Sequence, residues 1–156
     1  MTKTNRGFTM VETLIAIAIF AVIFAFGLLM SMQTYYGYSR RSDRETLVST
    51  LERARSLSMG NVHQSAWGVC YDGTLANDPK YVIFRGASYG AALETTPVTG
   101  NPGVTRDLTA ATAFPCASGG IVFTQLTGNT SAAIIALSEA GISSTVALNA
   151  AGRIDW

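Results

Sequence analysis

The sequence predicts an α+β protein in which a long N-terminal α-helix packs, through its C-terminal half, on a small antiparallel β-sheet head. Three observations predict this fold. A charge-free apolar segment lies near the start of the 156-residue chain, a helical repeat of apolar residues continues to about residue 59, and short β-type runs separated by turn residues follow. This length suits one domain of ordinary size and argues against a two-domain enzyme.

The apolar segment has the length and composition of a membrane span. No charged residue occurs over residues 13–39, and residues 14–32 are almost all Leu, Ile, Ala, Val, Phe, Gly and Met. As a helix these nineteen residues extend roughly 28 Å, close to the thickness of the hydrocarbon core of a bilayer. The segment therefore excludes a soluble cytoplasmic protein as the default class.

The residues before the span resemble the basic start of a signal peptide, with Lys3 and Arg6 in the leader MTKTNRG. The apolar run is longer than that of a secretory signal, and no Ala-x-Ala-like site closes it before Arg40. An uncleaved single-span anchor is one interpretation. Glu12 indicates another, because a carboxylate costs roughly 2.5–3.5 kcal/mol at the centre of a span and less near its edge. Cleavage before Phe8 would create a free amine, in the same chain or in a neighbouring copy, to pair with it.

The hexapeptide GFTMVE at residues 7–12 resembles the prepilin motif of type IV pilins and type II secretion pseudopilins. The resemblance implies that a prepilin peptidase cleaves after Gly7 and removes residues 1–7 as a leader. It implies that Phe8 becomes the N-methylated N-terminus and that Glu12 is needed for ordered assembly. The pilin-like subunit would first cross the bacterial inner membrane once, with its head in the periplasm. It would then join an extracellular pilus or a periplasmic pseudopilus, with other pilin or pseudopilin subunits as partners of its helix.

The helix is predicted to continue beyond the membrane span. Leu47, Val48, Leu51, Ala54 and Leu57 recur at helical spacing and form one apolar stripe, while charged residues occupy the other faces. The Gly-Asn pair at residues 60–61 suits a helix C-terminus. We therefore expect a helix over residues 8–60, of which about 8–35 form the transmembrane and assembly part, and a globular β-rich head over residues 61–156.

The head is predicted to contain five strands, at residues 67–71, 81–85, 121–126, 132–137 and 142–148. Short glycine-containing loops at residues 127–129 and 139–141 separate the last three, which predicts an antiparallel meander. Residues 86–119 are rich in Gly, Ala, Thr and Pro, and their apolar pattern is too irregular for strands or helices. We expect a long surface loop there.

The chain has two cysteines, Cys70 and Cys116, and an even pair in a segment outside the cytoplasm favours a disulfide. The bridge would close a gap of 45 residues and contribute roughly 4 kcal/mol in the chain-entropy model. A reactive thiol assisted by His63 is the functional alternative, but no other residue is placed to orient the pair. The cysteines also lack the spacing typical of a zinc site, so we predict no metal.

Other catalytic motifs are missing from the sequence. It has no Gly-x-Ser-x-Gly, no phosphate-binding loop with its Lys and no close acidic pair, so we predict no enzymatic activity and no cofactor. A DNA-binding role would require clustered Lys and Arg, but residues 61–156 hold four basic and six acidic side chains. This balance argues against nucleic acid as a partner. A ligand-binding role displayed on a filament stays open, with residues 86–119 and the aromatic side chains as the candidate site.

Residues 47–73 resemble one particular group within the pilins and pseudopilins. They are similar to the helix-to-first-strand segment of the GspH/FimT/FimU group of minor pilins and pseudopilins, through the Ala-Arg-Ser at residues 54–56 and the following Gly60. The Gly-Arg-Ile at residues 152–154 resembles the end of that group. The resemblance implies a minor type IV pilin of the tip or priming complex of a pilus. The alternative is a minor pseudopilin of a type II secretion system.

Overall fold

The computed structural model describes residues 9–75 and 77–156, and for residues 29–33 it describes the backbone alone. The chain divides into two units, Met1–Tyr36 and Gly37–Trp156. Helix α1, Met10–Met59, begins in the first unit and ends in the second, and all strands belong to the second unit. The predicted α+β fold, a long N-terminal helix and a head of antiparallel sheet, is confirmed. Phe8, the predicted first residue of the helix, lies outside the described residues.

Local sequence signals explain where α1 ends. The backbone N–H of Gly60 donates to Ser56 O at 2.8 Å, which completes the last helical turn. Asn61 follows with a φ of 53°, in the left-handed region that Asn adopts more readily than most residues. The Gly-Asn pair predicted from the sequence is therefore the point at which the chain leaves the helix.

The head contains two four-stranded antiparallel sheets. The strands are β1 (Trp67–Asp72), β2 (Lys80–Arg85), β3 (Glu94–Thr99), β4 (Thr105–Asp107), β5 (Ile121–Phe123), β6 (Ala133–Glu139), β7 (Ile142–Leu148) and β8 (Ile154–Asp155). The first sheet has the order β3-β2-β1-β5 and the second the order β4-β6-β7-β8. Four of the five predicted strands agree within two residues at each end, and β5 ends three residues earlier than predicted.

The predicted meander of the last three strands is wrong. Strand β5 pairs with β1 in the first sheet, and only β6 and β7 form a hairpin. The loop between β5 and β6 closes on itself, because Thr124 N–H donates to Asn129 O at 2.8 Å and Gly128 N–H to Thr124 O at 2.9 Å. Leu126 N–H donates to Ser58 O at the end of α1. This anchorage to the helix turns the chain from one sheet to the other.

The predicted loop over residues 86–119 is also wrong in part, because it contains β3 and β4. Strand β3 is almost wholly exposed, so its sequence ETTPVT carries no apolar alternation, and its place in the sheet comes from backbone pairing with β2. The segment also contributes Val104, Ala111 and Phe114 to the core. These three residues are buried in the core, but they are isolated and irregularly spaced in the sequence. They therefore form no apolar pattern that predicts a strand or a helix.

Strand β3 is an outer edge of the first sheet. Gly100 N–H donates to Pro79 O at 2.8 Å, so the alternation of an antiparallel ladder makes the Val82–Pro97 pair a non-hydrogen-bonded one. The ring nitrogen of Pro97 therefore faces outward, where a free N–H would otherwise stand.

The main core lies between α1 and both sheets. Four residues of the predicted stripe, Leu47, Val48, Leu51 and Ala54, are buried and Leu57 is partly buried. Side chains of both sheets and the connecting loops complete this core, among them Trp67, Val69, Ile83, Phe114, Phe123, Ile135, Leu137 and Val146. The C-terminal part of α1 is thus packed on the sheets, as predicted from its apolar stripe.

Candidate functional site

Two of the predicted site residues, Gly7 and Phe8, lie outside the described residues. Glu12 lies in the first turn of α1, where its backbone N–H donates to Thr9 Oγ1 at 3.3 Å. Thr9 therefore acts as the N-cap, and Glu12 stands three residues later at the spacing of a capping box. A carboxylate in the first turn also interacts favourably with the helix dipole, so local physics alone accounts for a Glu at this position.

The helix around Glu12 is apolar on every side. Met10–Leu28, 19 residues, is long and apolar enough to cross a membrane by length and composition. Its large apolar side chains are between 55% and 81% exposed. Glu12 is the one charged residue among them, and its carboxylate has no ion pair or hydrogen bond with any described residue.

A buried ion pair joins the C-terminal part of α1 to the second sheet. Arg106 Nη2 on β4 donates to Asp43 Oδ1 at 2.7 Å, and both side chains are at least 98% buried. The other carboxylate oxygen, Asp43 Oδ2, accepts from the Tyr81 hydroxyl at 2.7 Å, and the backbone N–H of Asn101 donates to Asp43 Oδ1 at 2.8 Å. Buried charges are tolerated when each lone pair and proton is satisfied, and this carboxylate receives three donors.

The nitrogen atoms of the Arg106 guanidinium also have hydrogen-bond acceptors. Its Nε donates to the Tyr81 oxygen at 2.7 Å, its Nη1 donates to Val104 O at 2.6 Å, and its plane lies over the Tyr71 ring at 4.9 Å. The rings of Tyr71, Tyr81 and Phe114 pack on one another with centroids 5.8–6.3 Å apart. Burial, with the nearby Asp43 charge, raises the pKa of Tyr81 far above its ordinary value. The phenol is therefore neutral, and its hydroxyl donates a hydrogen bond to the Asp43 carboxylate.

Sequence reasoning missed this group, although one signal was present. Ser39, Asp43 and Leu47 follow one another at intervals of four, so Asp43 lies on the same face as the apolar stripe. In the structure Asn101 Nδ2 donates to Ser39 Oγ at 2.6 Å, which extends the contact one turn toward the N-terminus. A polar residue in register with a buried stripe indicates a buried partner, but it does not say which residue supplies it.

Ser58, the last residue but one of α1, bonds to the first sheet. Its hydroxyl donates to Phe123 O at 2.9 Å and accepts from the Trp67 backbone N–H at 2.8 Å, and the side chain is fully buried. The carbonyl of Ser58 accepts from Leu126 N–H at 2.9 Å. One helical residue thus satisfies backbone groups at the start of β1, at the end of β5 and in the loop after it.

The helical Ala-Arg-Ser segment and the closing Gly-Arg-Ile segment, which carry the sequence resemblance, meet in the structure. Arg55 Nη2 donates to Ala151 O at 3.3 Å. Gly152 has a φ of 72°, and a Cβ placed there would lie 2.0 Å from Gly128 O and 3.1 Å from Arg55 Nε. The backbone of the C-terminal turn can approach the preceding loop and the Arg55 side chain only because residue 152 lacks a Cβ.

Cys70 and Cys116 are joined by a disulfide with an S–S distance of 2.04 Å. Cys70 lies on β1 and Cys116 at the start of a 3-10 turn, Cys116–Ser118. The bridge belongs to a second apolar cluster, with Val82 and Phe84, on the face of the first sheet that points away from the main core. It fastens the end of the 86–119 segment to the centre of that sheet.

Comparison with protein families finds a match to the prokaryotic N-terminal methylation motif over residues 2–28. No curated protein and no solved structure matches the chain. The matched residues include Gly7, Phe8 and Glu12 and most of the apolar span. The match is to a type IV pilin-like prepilin signal, which is typical of structural subunits that a prepilin peptidase processes before they assemble with other pilins. The N-terminal motif therefore indicates a type IV pilin-like or pseudopilin-like protein, and the apolar helix that continues from it is consistent with membrane anchoring.

Proposed function

We propose that the chain is a minor type IV pilin, a structural and assembly subunit of the tip or priming complex of a pilus. The observation that carries the proposal is the methylation motif at residues 2–28, which is continuous with an apolar helix whose charged residue, Glu12, has no partner among the described residues. The meeting of Arg55 with the turn at Gly152 supports the narrower assignment to the GspH/FimT/FimU group. A minor pseudopilin remains the alternative.

In the proposed mechanism, cleavage after Gly7 replaces an amide by the amine of Phe8, which is then methylated. In an assembled filament the Glu12 carboxylate pairs with the N-terminal amine of a neighbouring subunit. Any other axial stagger would leave a carboxylate unpaired among apolar side chains, at a cost of several kcal/mol. The apolar surface of Met10–Leu28 contacts lipid before assembly and other helices afterwards.

Buried contacts in the second unit attach the head to the C-terminal part of α1. Filament subunits are held by their helices, so a head must stay attached to its own helix under load. Asp43 and Ser58, four turns apart on α1, each bond to the sheets through buried side chains. These two points fix the head on the helix in both position and rotation.

The first test is the intact mass of the protein from the membrane and from the sheared surface fraction of its native host. We expect loss of residues 1–7 and gain of one methyl group in both fractions. An intact Met1 or an unmethylated N-terminus would overturn the proposal and support a simple anchor. Processed protein that stays in the cell envelope, with loss of protein secretion when the gene is deleted, would support the pseudopilin instead.

The second test separates Glu12 from other carboxylates of the helix. Glu12→Val and Glu12→Ala should insert in the membrane and be cleaved normally, but should be depleted from sheared filaments. Glu52→Ala is the matched control, because Glu52 is an exposed residue of the same helix without an ion pair to any described residue. Normal incorporation of the Glu12 variants would contradict the assembly role.

A further inference from the structure

A cavity of about 610 Å³ opens beside the disulfide, between the 3-10 turns Tyr89–Ala91 and Cys116–Ser118. Tyr89 N–H donates to Gly119 O at 2.8 Å, which ties the two turns together. The cavity lies on the face of the first sheet that carries the second apolar cluster, away from α1. Its volume is in the range of small-ligand sites in proteins, about 300–1,000 Å³.

Polar groups without protein partners line this cavity. The hydroxyls of Ser88 and Ser118 make no hydrogen bond within the described chain. Asp72 accepts from the backbone N–H and the hydroxyl of Thr74 at 3.1 and 2.8 Å, both through Oδ1, so its Oδ2 is left as a free acceptor. These two bonds lower the pKa of Asp72, which keeps the carboxylate ionised at neutral pH.

One aromatic ring completes the lining. Tyr89 packs edge-to-face on Phe84, with ring centroids 5.9 Å apart, so the ring is held in place while the residue stays partly exposed at the cavity. A fixed ring offers apolar area to the C–H groups of a ligand without loss of side-chain freedom on binding. The adjacent carboxylate and hydroxyls offer an ionised acceptor and groups that both donate and accept.

The charges around the cavity select the class of ligand. Asp72 repels an anion. Its cross-strand partner is Lys80, whose ammonium pairs with Asp78 Oδ2 at 2.8 Å and also attracts the Asp72 carboxylate, so the charge of Asp72 is already partly balanced against a cation. We propose that this cavity binds a neutral, hydroxyl-rich ligand of the carbohydrate class, with Asp72 and Tyr89 as its main contacts.

The test is a titration of the full-length protein, in a detergent without a sugar headgroup, with glucose, galactose, N-acetylglucosamine and maltose. Saturation-transfer NMR detects binding at millimolar concentration and gives the affinity. At least one sugar of the panel should bind. Asp72→Asn keeps the Thr74 turn but removes the charge, and we expect it to weaken binding by about tenfold, the loss of one charge-assisted hydrogen bond.

Asp107 provides a matched control, since its Oδ1 accepts the same two bonds, from the backbone N–H and the hydroxyl of Thr109, away from the cavity. Asp107→Asn should bind sugar as the wild type does. Tyr89→Leu keeps apolar packing on Phe84 and should also weaken binding by about tenfold or more. Asp72→Asn should join filaments normally, because Asp72 lies on β1 of the head and takes no part in the proposed pairing of Glu12.

Three results would overturn the proposal. They are no binding by any sugar of the panel, unchanged affinity in both Asp72→Asn and Tyr89→Leu, and preferential binding of spermidine or inorganic phosphate, which serve as charged probes. The first would show that the cavity is not a site for these sugars. The second would place the ligand elsewhere on the chain, and the third would contradict the neutral ligand.

Discussion

Asp43 of α1 and Arg106 of β4, 63 residues apart in the chain, form an ion pair of 2.7 Å that is almost fully shielded from water. The pair joins the helix to the second sheet, while Tyr81 joins it to the first. One carboxylate therefore connects all three layers of the head. Removing a member of such a group leaves the other charge buried without a partner, which is costly.

We expect Asp43→Asn to lower the free energy of unfolding of the head by about 3–5 kcal/mol, the range for breaking a buried ion pair. Denaturant unfolding of the full-length protein in detergent, followed by the fluorescence of the buried Trp67, measures this loss. Glu45→Gln is the control, because Glu45 pairs with Arg41 on the exposed surface, and should change stability by less than about 0.5 kcal/mol. Equal effects would show that the buried pair contributes no more than the surface pair.

Alkaline pH should destabilise the head through Tyr81. Burial raises the pKa of Tyr81 above the ordinary value of about 10, so the folded chain retains a proton that the unfolded chain releases. The stability that this proton contributes is fully present below about pH 10 and is lost as the pH rises, at up to about 1.4 kcal/mol per pH unit. Tyr81→Phe should be less stable at neutral pH but should show a shallower decline above pH 10. Parallel pH profiles of the two proteins would refute this assignment.

Gly152→Ala should destabilise the head by about 2–4 kcal/mol, because the new Cβ would lie 2.0 Å from a backbone carbonyl and the φ of 72° is unfavourable for alanine. Gly141→Ala separates the two causes. Gly141 has a φ of 80° but open space at its Cβ, so its replacement should cost only the conformational part, about 1–2 kcal/mol. Thermal unfolding of both variants checks the difference, and equal losses would contradict the close approach of Gly152 to Gly128.

The disulfide should be a large part of the stability of the head. Its loop has a sequence separation of 46, for which the chain-entropy model gives about 4 kcal/mol. The double variant Cys70→Ala, Cys116→Ala should unfold at lower denaturant concentration than the oxidised wild type and should not respond to a reductant. If reduction leaves the midpoint of the wild type unchanged, the bridge does not stabilise the folded head.

Burial explains which parts of the fold could be predicted from the sequence. Leu47, Leu51 and Ala54 repeat at helical spacing because one face of α1 meets the core, and β2 reads as a run of apolar residues because both faces of its sheet are covered. Strand β3 was missed for the opposite reason. Its side chains are exposed, and backbone hydrogen bonds with β2 leave no trace in residue type.

The sequence could point to candidate site residues only where they are neighbours in the chain. Glu12 is conspicuous because it is a single charge in an apolar helix beside a Gly-Phe pair, whereas the pairing of Asp43 with Arg106 depends on how strands far apart in sequence are ordered in the second sheet. The cavity beside the disulfide could not be predicted from the sequence either, because its lining residues are far apart in the chain. Asp72, Tyr89 and Ser118 come together only once β1 and the two 3-10 turns are folded against one another.

Pro97 has a consequence for how copies of this chain can associate. A foreign strand laid along the edge at β3 would find no donor at the centre of that edge, so each such encounter would leave a carbonyl without a hydrogen bond, at a cost of about 1–3 kcal/mol. Copies of the head are thereby hindered from pairing edge to edge through β3. Association along β3 must therefore use side chains, so substitutions on its surface can change the choice of neighbour while this edge still resists strand addition.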